Sequence, residues 1–153
     1  MEVKYYIIVF GKVVKLMPQR EDKMCFACGE ENPISLGLKF KKIDKNTVEA
    51  EFVPGKLYQG YDGIMHGGLV STLLDEAMAY AVGARGVSAF TAEIKVRFKK
   101  AVKIGEKIKI TGFYRDCYSK SIGTIHFTEA EIKDEAGKVK AKAEAKFMEE
   151  KEI

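Results

Sequence analysis

Residues 63–82 read GIMHGGLVSTLLDEAMAYAV: a histidine and two glycines open a nearly apolar run that carries two adjacent acids, Asp75 and Glu76. Leu69, Leu73, Ala77, Tyr80, Ala81 and Ala84 recur at three and four spacing, which predicts a helix from about Gly67 to Arg85 with one broad apolar face. At about 100° per residue, Asp75 projects roughly 160° from the centre of that face, beside Ser71, Thr72, Met78, Ala79 and Val82. That second face is too apolar for free solvent. An unpartnered charge is costly out of water, so the acid needs a reason to be there. A helix covered by a sheet on one side and by another chain on the other accounts for both faces.

Around this helix the pattern has period two. Leu36, Leu38 and Phe40 alternate with polar neighbours, as do Val48, Ala50 and Phe52 before the stop at Pro54-Gly55. In TAEIKVRF (91–98) the alternation is clean: Ala92, Ile94, Val96 and Phe98 are expected to be buried, and Thr91, Glu93, Lys95 and Arg97 to face the other way. Segments 106–115, 122–132 and 139–148 read as further strands, with turn signals around Tyr118-Ser119 and at Glu135-Ala136-Gly137. YYIIVFG (Tyr5 to Gly11) is too short for a membrane span and has no small-residue cleavage site behind it, so a terminal strand is expected. One long helix among strands is an α+β layout. Residues 1–153 are read as a single domain, with 1–16 as a possible extension and the core at roughly 24–148.

With 153 residues, 46% of them apolar, the chain can build one sizeable core. Its net charge of +4 is spread over alternating Lys and Glu, unlike the concentrated basic face of a nucleic-acid binder, and suits an anionic small ligand. No nucleic acid and no membrane are expected as partners. Three cysteines at irregular spacing do not make a secreted disulfide framework, and a reducing cytoplasm is the default. Cys25 and Cys28 form a single C-x-x-C, whereas a structural zinc site takes four ligands. Only a coincidence of folding would add Cys117 and His126, so local packing is expected and no metal. Neither a Walker-type loop nor a dinucleotide fingerprint is present.

GYDGIMHGGLVSTLLDEAMA (60–79) resembles the signature of hotdog-fold acyl-CoA thioesterases of the PaaI and THEM4-like kind, in the 4-hydroxybenzoyl-CoA thioesterase superfamily. CFACGEENPISLGLKF (25–40) resembles the segment that often precedes it, so the likeness covers roughly residues 24–148. It implies an antiparallel sheet wrapped around one central helix. It also implies hydrolysis of acyl-CoA to a free acid and CoA, without metal or redox cofactor, by a homodimer or a dimer of dimers.

That chemistry needs hydrogen-bond donors at the carbonyl oxygen and a carboxylate to attack the carbon or activate water. Gly67 and Gly68 open the helix, so their amides lack intrahelical partners and the positive end of the macrodipole points at whatever binds there. The eight residues from Gly67 to Asp75 span roughly 12 Å of helix, far beyond reach in one subunit. Two helices antiparallel across a twofold axis would bring Asp75 of one to the His66-Gly67 turn of the other.

By resemblance, the Gly67 amide polarises the carbonyl, His66 positions the thioester, Gly68 admits a close ligand, and the carboxylate at Asp75 is nucleophile or general base. Thr91, sixteen residues on, matches a residue that assists the carboxylate or its water. Family members often have an amide six positions before the histidine; here that position is Gly60, and the nearest amide is Gln59, with Asp62 in the same loop read as a turn residue. Arg97 and Lys99, with Lys95 and Lys100, are candidates for the CoA phosphates. Met65, Met78, Tyr80 and Tyr61 are candidates for the acyl pocket.

Simpler roles compete at each position: a satisfied interface carboxylate for Asp75, a capping histidine for His66, helix-to-sheet packing for the glycines, a plain strand threonine for Thr91 and a solvated face for the cations. Glu76 is read as structural. For the whole chain, a non-catalytic acyl-CoA-binding protein is the main alternative, and a hotdog dehydratase is disfavoured by the acid nine residues after the histidine.

Overall fold

The computed structural model describes residues 22–149 and, as backbone, two strands before them. Strands β1 (Tyr6–Val9) and β2 (Lys12–Lys15) form an antiparallel hairpin where one terminal strand was expected. The other residues before 22, and those after 149, lie outside the described residues. β3 (Lys41–Lys42) and β4 (Thr47–Phe52) lead through a short 3-10 turn (Lys56–Tyr58) into α1 (Gly67–Gly83). β5 (Ala89–Phe98), β6 (Ile108–Lys120), β7 (Gly123–Asp134) and β8 (Val139–Glu149) follow. β3 to β8 make one antiparallel sheet in the order β3-β4-β6-β7-β8-β5, so the long strand β5 is an edge. No helix among the described residues is long and apolar enough to cross a membrane.

The helix lies on one face of this sheet. Val70, Leu73, Leu74, Ala77, Met78, Ala81 and Val82 are buried against Ile108 and Ile110 of β6, Ala130 and Ile132 of β7, and Ala141, Ala143, Ala145 and Phe147 of β8. The alanines shorten the distance at which helix and sheet meet, and Gly112 on β6 takes this to its limit. A Cβ there would fall 2.2 Å from the Ala77 carbonyl oxygen. The expected second face of the helix is corrected in part: Met78 and Val82 are buried within the chain. Besides Leu69 and the helix ends, a stripe through Gly68, Ser71, Thr72, Asp75 and Ala79 stays partly open, at the spacing that keeps helical residues in line.

Residues 36–40 alternate in burial, with Leu36, Leu38 and Phe40 buried, but Gly37 has a positive φ of 68° and the segment is not a sheet strand. The Leu36 and Leu38 amides instead donate to the carbonyls of Phe26 and Ala27, so the segment pairs with the loop before it. The turn expected at Tyr118-Ser119 is replaced by a longer hairpin, in which β6 and β7 pair as far as Lys120 and Gly123.

β5 departs from expectation in two ways. Ile94, Val96 and Phe98 share a face with the buried alanines of β8, yet Ile94 is 38% and Phe98 56% exposed, because none of the described residues covers the sheet edge. A bulge at Ala92 also breaks the alternation, so Thr91 pairs with Phe147 and turns toward the helix instead of joining Glu93, Lys95 and Arg97.

Lys140 is buried at the start of β8, where its ammonium lies 2.7 Å from Glu106 and 3.6 Å from Asp134. Burial pushes the Glu106 carboxyl up, but the bonds from Lys140 and the Lys103 amide outweigh it and hold the group below its ordinary value. A depressed carboxyl stabilises the fold above its unfolded value and loses that contribution as pH falls through its folded one. Lys140→Met is therefore expected to destabilise most near neutral pH, its deficit in urea denaturation narrowing as pH drops below the ordinary carboxylate range. Gly112→Ala is expected to cost about 3 kcal/mol in the same measurement, since backbone must move to admit the methyl group.

Candidate active site

The loop before α1 folds tightly onto the helix start. The Gly60 amide donates to the Ile64 carbonyl and the His66 amide to the Tyr58 carbonyl, each at 2.8 Å. The Gln59 side-chain oxygen accepts from the Gly63 amide at 2.8 Å, so its carbonyl is committed to this loop and its NH2 group remains as a donor. A Cβ at Gly60 would lie 3.1 Å from His66 Cα and 3.3 Å from the ring, so a side chain at that position would crowd the histidine.

His66 is the N-cap. Its carbonyl accepts from Leu69 and Val70, and its Nδ1 accepts from the Gly68 amide at 2.9 Å. A ring nitrogen that accepts carries no proton, so the neutral imidazole has its proton on Nε2, which is then a donor. The cap also uses the Gly68 amide. Among the described residues no acceptor takes the Gly67 amide, which stands exposed at the positive end of the helix. The Phe98 ring comes within 3.6 Å of where a Gly67 Cβ would be.

Two turns further on, Asp75 is half-buried on the open stripe, and Thr91 Oγ1 donates to its Oδ1 at 2.8 Å. The Ala92 bulge makes this contact possible, and strict alternation along 91–98 would have hidden it. The regular helix keeps Asp75 and Gly67 apart within one chain: Asp75 lies by Thr91 at the start of β5, and Gly67 by Phe98 at its end. In one copy, donor and acid do not meet.

Glu76, the adjacent acid, faces the opposite way. It is 7% exposed, with the Cys25 thiol donating to its Oε1 at 3.7 Å. Burial, with the Glu76 carboxylate beside it, pushes the Cys28 thiol far above its ordinary range. Cys117 and His126 do not join these thiols. They are cross-strand partners on β6 and β7, and the buried His126 bridges the Tyr114 hydroxyl at 2.9 Å and Glu149 at 2.8 Å.

Arg97 and Lys99 are exposed. Together with Lys95 they line a cleft on the outer face of the sheet, where Glu129, Glu131 and Glu144 interleave the cations. Lys100 lies against Lys138, whose neighbouring ammonium holds it below its ordinary value, a contact between distant segments that no local pattern signals. Of the expected acyl-pocket residues, Met65, Met78 and Tyr80 are instead part of the chain's own core, and Tyr61 is fully out in solvent.

An antiparallel six-stranded sheet packed on one long helix defines the hotdog class of fold. The chain belongs to the thioesterase superfamily, whose family model matches residues 62–141. It is 29% identical over 79 residues to the acyl-coenzyme A thioesterase THEM5 of Mus musculus, covering 46% of this chain and 32% of that protein. It is 33% identical over 72 residues to the putative esterase SSO1253 of Saccharolobus solfataricus, covering 46% of this chain and 48% of that one. In each case the match spans less than half of the relative's length. The crystal structure of the thioesterase superfamily protein RHA08564 superposes with a TM-score of 0.77 at 22% identity, covering 83% of this chain and 61% of that one.

His66→Ala, which removes the cap acceptor, is expected to cost about 1 kcal/mol of stability in thermal or urea denaturation. His66→Asn, which can accept from the same amide, should recover most of it.

Proposed function

We propose that the protein is an acyl-CoA thioesterase that hydrolyses its substrate to a free acid and CoA at sites shared between two copies of the chain. The observation that carries this reading is the Asp75–Thr91 pair on the one open stripe of a helix whose first amide is unused. The exposed edge of β5 supplies the geometry. If two β5 edges pair antiparallel about a twofold axis, the start of one strand lies beside the end of the other. Asp75 and Thr91 of one copy then approach Gly67 and Phe98 of the next, while Ile94 and Phe98 lose their exposure. Two equal sites result.

In such a site the thioester oxygen accepts from the Gly67 amide, and the helix dipole stabilises the negative charge that grows there. Asp75 attacks the carbonyl carbon or takes a proton from the attacking water; the Thr91 hydroxyl holds one carboxylate oxygen and leaves the other to react. His66 Nε2–H and the Gln59 amide are donors that steer the thioester, and Gly68 leaves room for it. Arg97 and Lys99, joined by Lys100, meet the CoA phosphates. No metal or redox cofactor enters these steps, and a cytoplasmic setting suits the substrate.

The likeness to the acyl-coenzyme A thioesterase THEM5 supports the reaction class. A hypothetical thioesterase of Streptococcus pneumoniae, 20% identical over the 74% of this chain that superposes (85% of that one, TM-score 0.64), has been solved with coenzyme A. Variants of it that replace an aspartate and a threonine sixteen positions apart by alanine have also been solved, and Asp75 and Thr91 share that separation.

The test is thiol release across short, medium, long and aromatic acyl-CoAs, after wild type and Asp75→Asn are shown to share one oligomeric state. Wild type should turn over, and Asp75→Asn should lose about a hundredfold or more in kcat, as expected for a lost base or nucleophile. Two proteins equally inert but both binding acyl-CoA would replace this reading with a non-catalytic binding role.

A further inference from the structure

Cys25, Cys28 and Glu76 meet on the side of α1 away from Asp75. Their ligand atoms all lie within 4.8 Å of one another, although the thiols and the acid are some fifty residues apart in the chain. The loop is shaped to present both sulfurs together. The Gly29 amide donates to the Cys25 carbonyl at 2.8 Å, and a Cβ on Gly29 would lie 2.5 Å from both the Cys25 amide and the Lys23 carbonyl, so only glycine closes this turn. The bonds from Leu36 to Phe26, from Leu38 to Ala27 and from Asn32 to the Met24 carbonyl fix the CFAC backbone from the other side. The acid stands on the rigid central helix. Each donor is therefore held by its own element before any ligand arrives, which is what a binding site requires.

The spacing has a chemical meaning. For zinc bonded to sulfur at about 2.3 Å and to a carboxylate oxygen at about 2.0–2.2 Å, a tetrahedral angle puts the two ligand atoms roughly 3.6 Å apart. Cys25 Sγ and Glu76 Oε1 are separated by 3.7 Å. A thiol hydrogen bond spans that distance, and it also matches one edge of the tetrahedron. Two soft thiolates with one carboxylate select a thiophilic divalent ion over magnesium or calcium. When such an ion enters, two thiol protons leave, so the site carries one net negative charge before and after, and no charge is added to the core.

We propose that Cys25, Cys28 and Glu76 form a zinc site, with water as fourth ligand on the half-exposed Cys25 side, that clamps the segment from 22 to 40 onto the central helix. The site is separate from the Asp75 chemistry, and its role is to hold the loop and helix together.

Cobalt(II) is the probe. Reduced full-length protein, treated with a chelator and desalted, is titrated with Co2+ and then with Zn2+. One equivalent of Co2+ per chain should give thiolate-to-cobalt charge transfer and the visible bands of a tetrahedral ion; Zn2+ should bleach both and raise Tm. Cys25→Ser and Glu76→Gln, each checked for native circular dichroism, should bind Co2+ at least about a hundredfold more weakly, a loss at the upper end of that for an outer-shell partner. Absence of thiolate charge transfer in the reduced wild type overturns the proposal. So does binding in both variants as tight as in the wild type.

Discussion

The helix axis is pressed so close to the sheet that a single methyl group at Gly112 would collide with the Ala77 carbonyl, and the rest of the structure follows from that closeness. A helix this deep cannot keep a polar face, so eight of its residues are buried hydrophobics and its exposure shrinks to one narrow stripe. What the helix offers to solvent is on that stripe or at its N-terminus, while Glu76 meets two thiols on its buried side. Asp75 is on the first, and Gly67 is at the second.

Because the helix is regular as well as deep, it also separates the two groups that thioester chemistry would combine. Closing that gap by bending α1 would lift it from the alanines of β8 and open a cavity, at a cost of several kcal/mol for each large side chain uncovered. Borrowing the second group from another copy costs no such distortion. The same edge strand that carries Thr91 and Phe98 is the one left unpaired, so the constraint that divides the site and the surface able to reunite it belong to one element.

The helix, its limits and its chemistry-bearing residues were legible because a 3.6-residue period in an apolar run has few alternatives. The strands from 106 onward were legible for the matching reason at period two. Thr91 shows where such reading stops: a one-residue bulge inverts the face of every residue on one side of it, and bulges leave no mark in the alternation itself. The exposure of Ile94 and Phe98 was hidden because a period of two names the apolar face without saying whether the same chain covers it. Residues 36–40 mimicked a strand because their burial alternates on the core, although their amides bond to the preceding loop and Gly37 is left-handed. Glu76 was readable as structural, but its thiol partners were not, since contacts across fifty residues have no periodic signature.

The two neighbouring acids show how the fold treats the same problem twice. Successive helical residues diverge by about 100°, so Asp75 and Glu76 enter different environments although their backbones touch. Glu76 goes into the core and is surrounded by groups that can accept a cation in place of protons, which suits a fixed, structural part. Asp75 stays within reach of solvent, and among the described residues a single hydroxyl ties one of its oxygens. A carboxylate meant only to be neutralised would gain from a second donor or a basic neighbour at such a half-buried site, and the tie to one neutral hydroxyl provides neither. Under the proposed reading, that asymmetry is what a reacting carboxylate needs, and it would give an apolar helix a reason to carry an acid at Asp75.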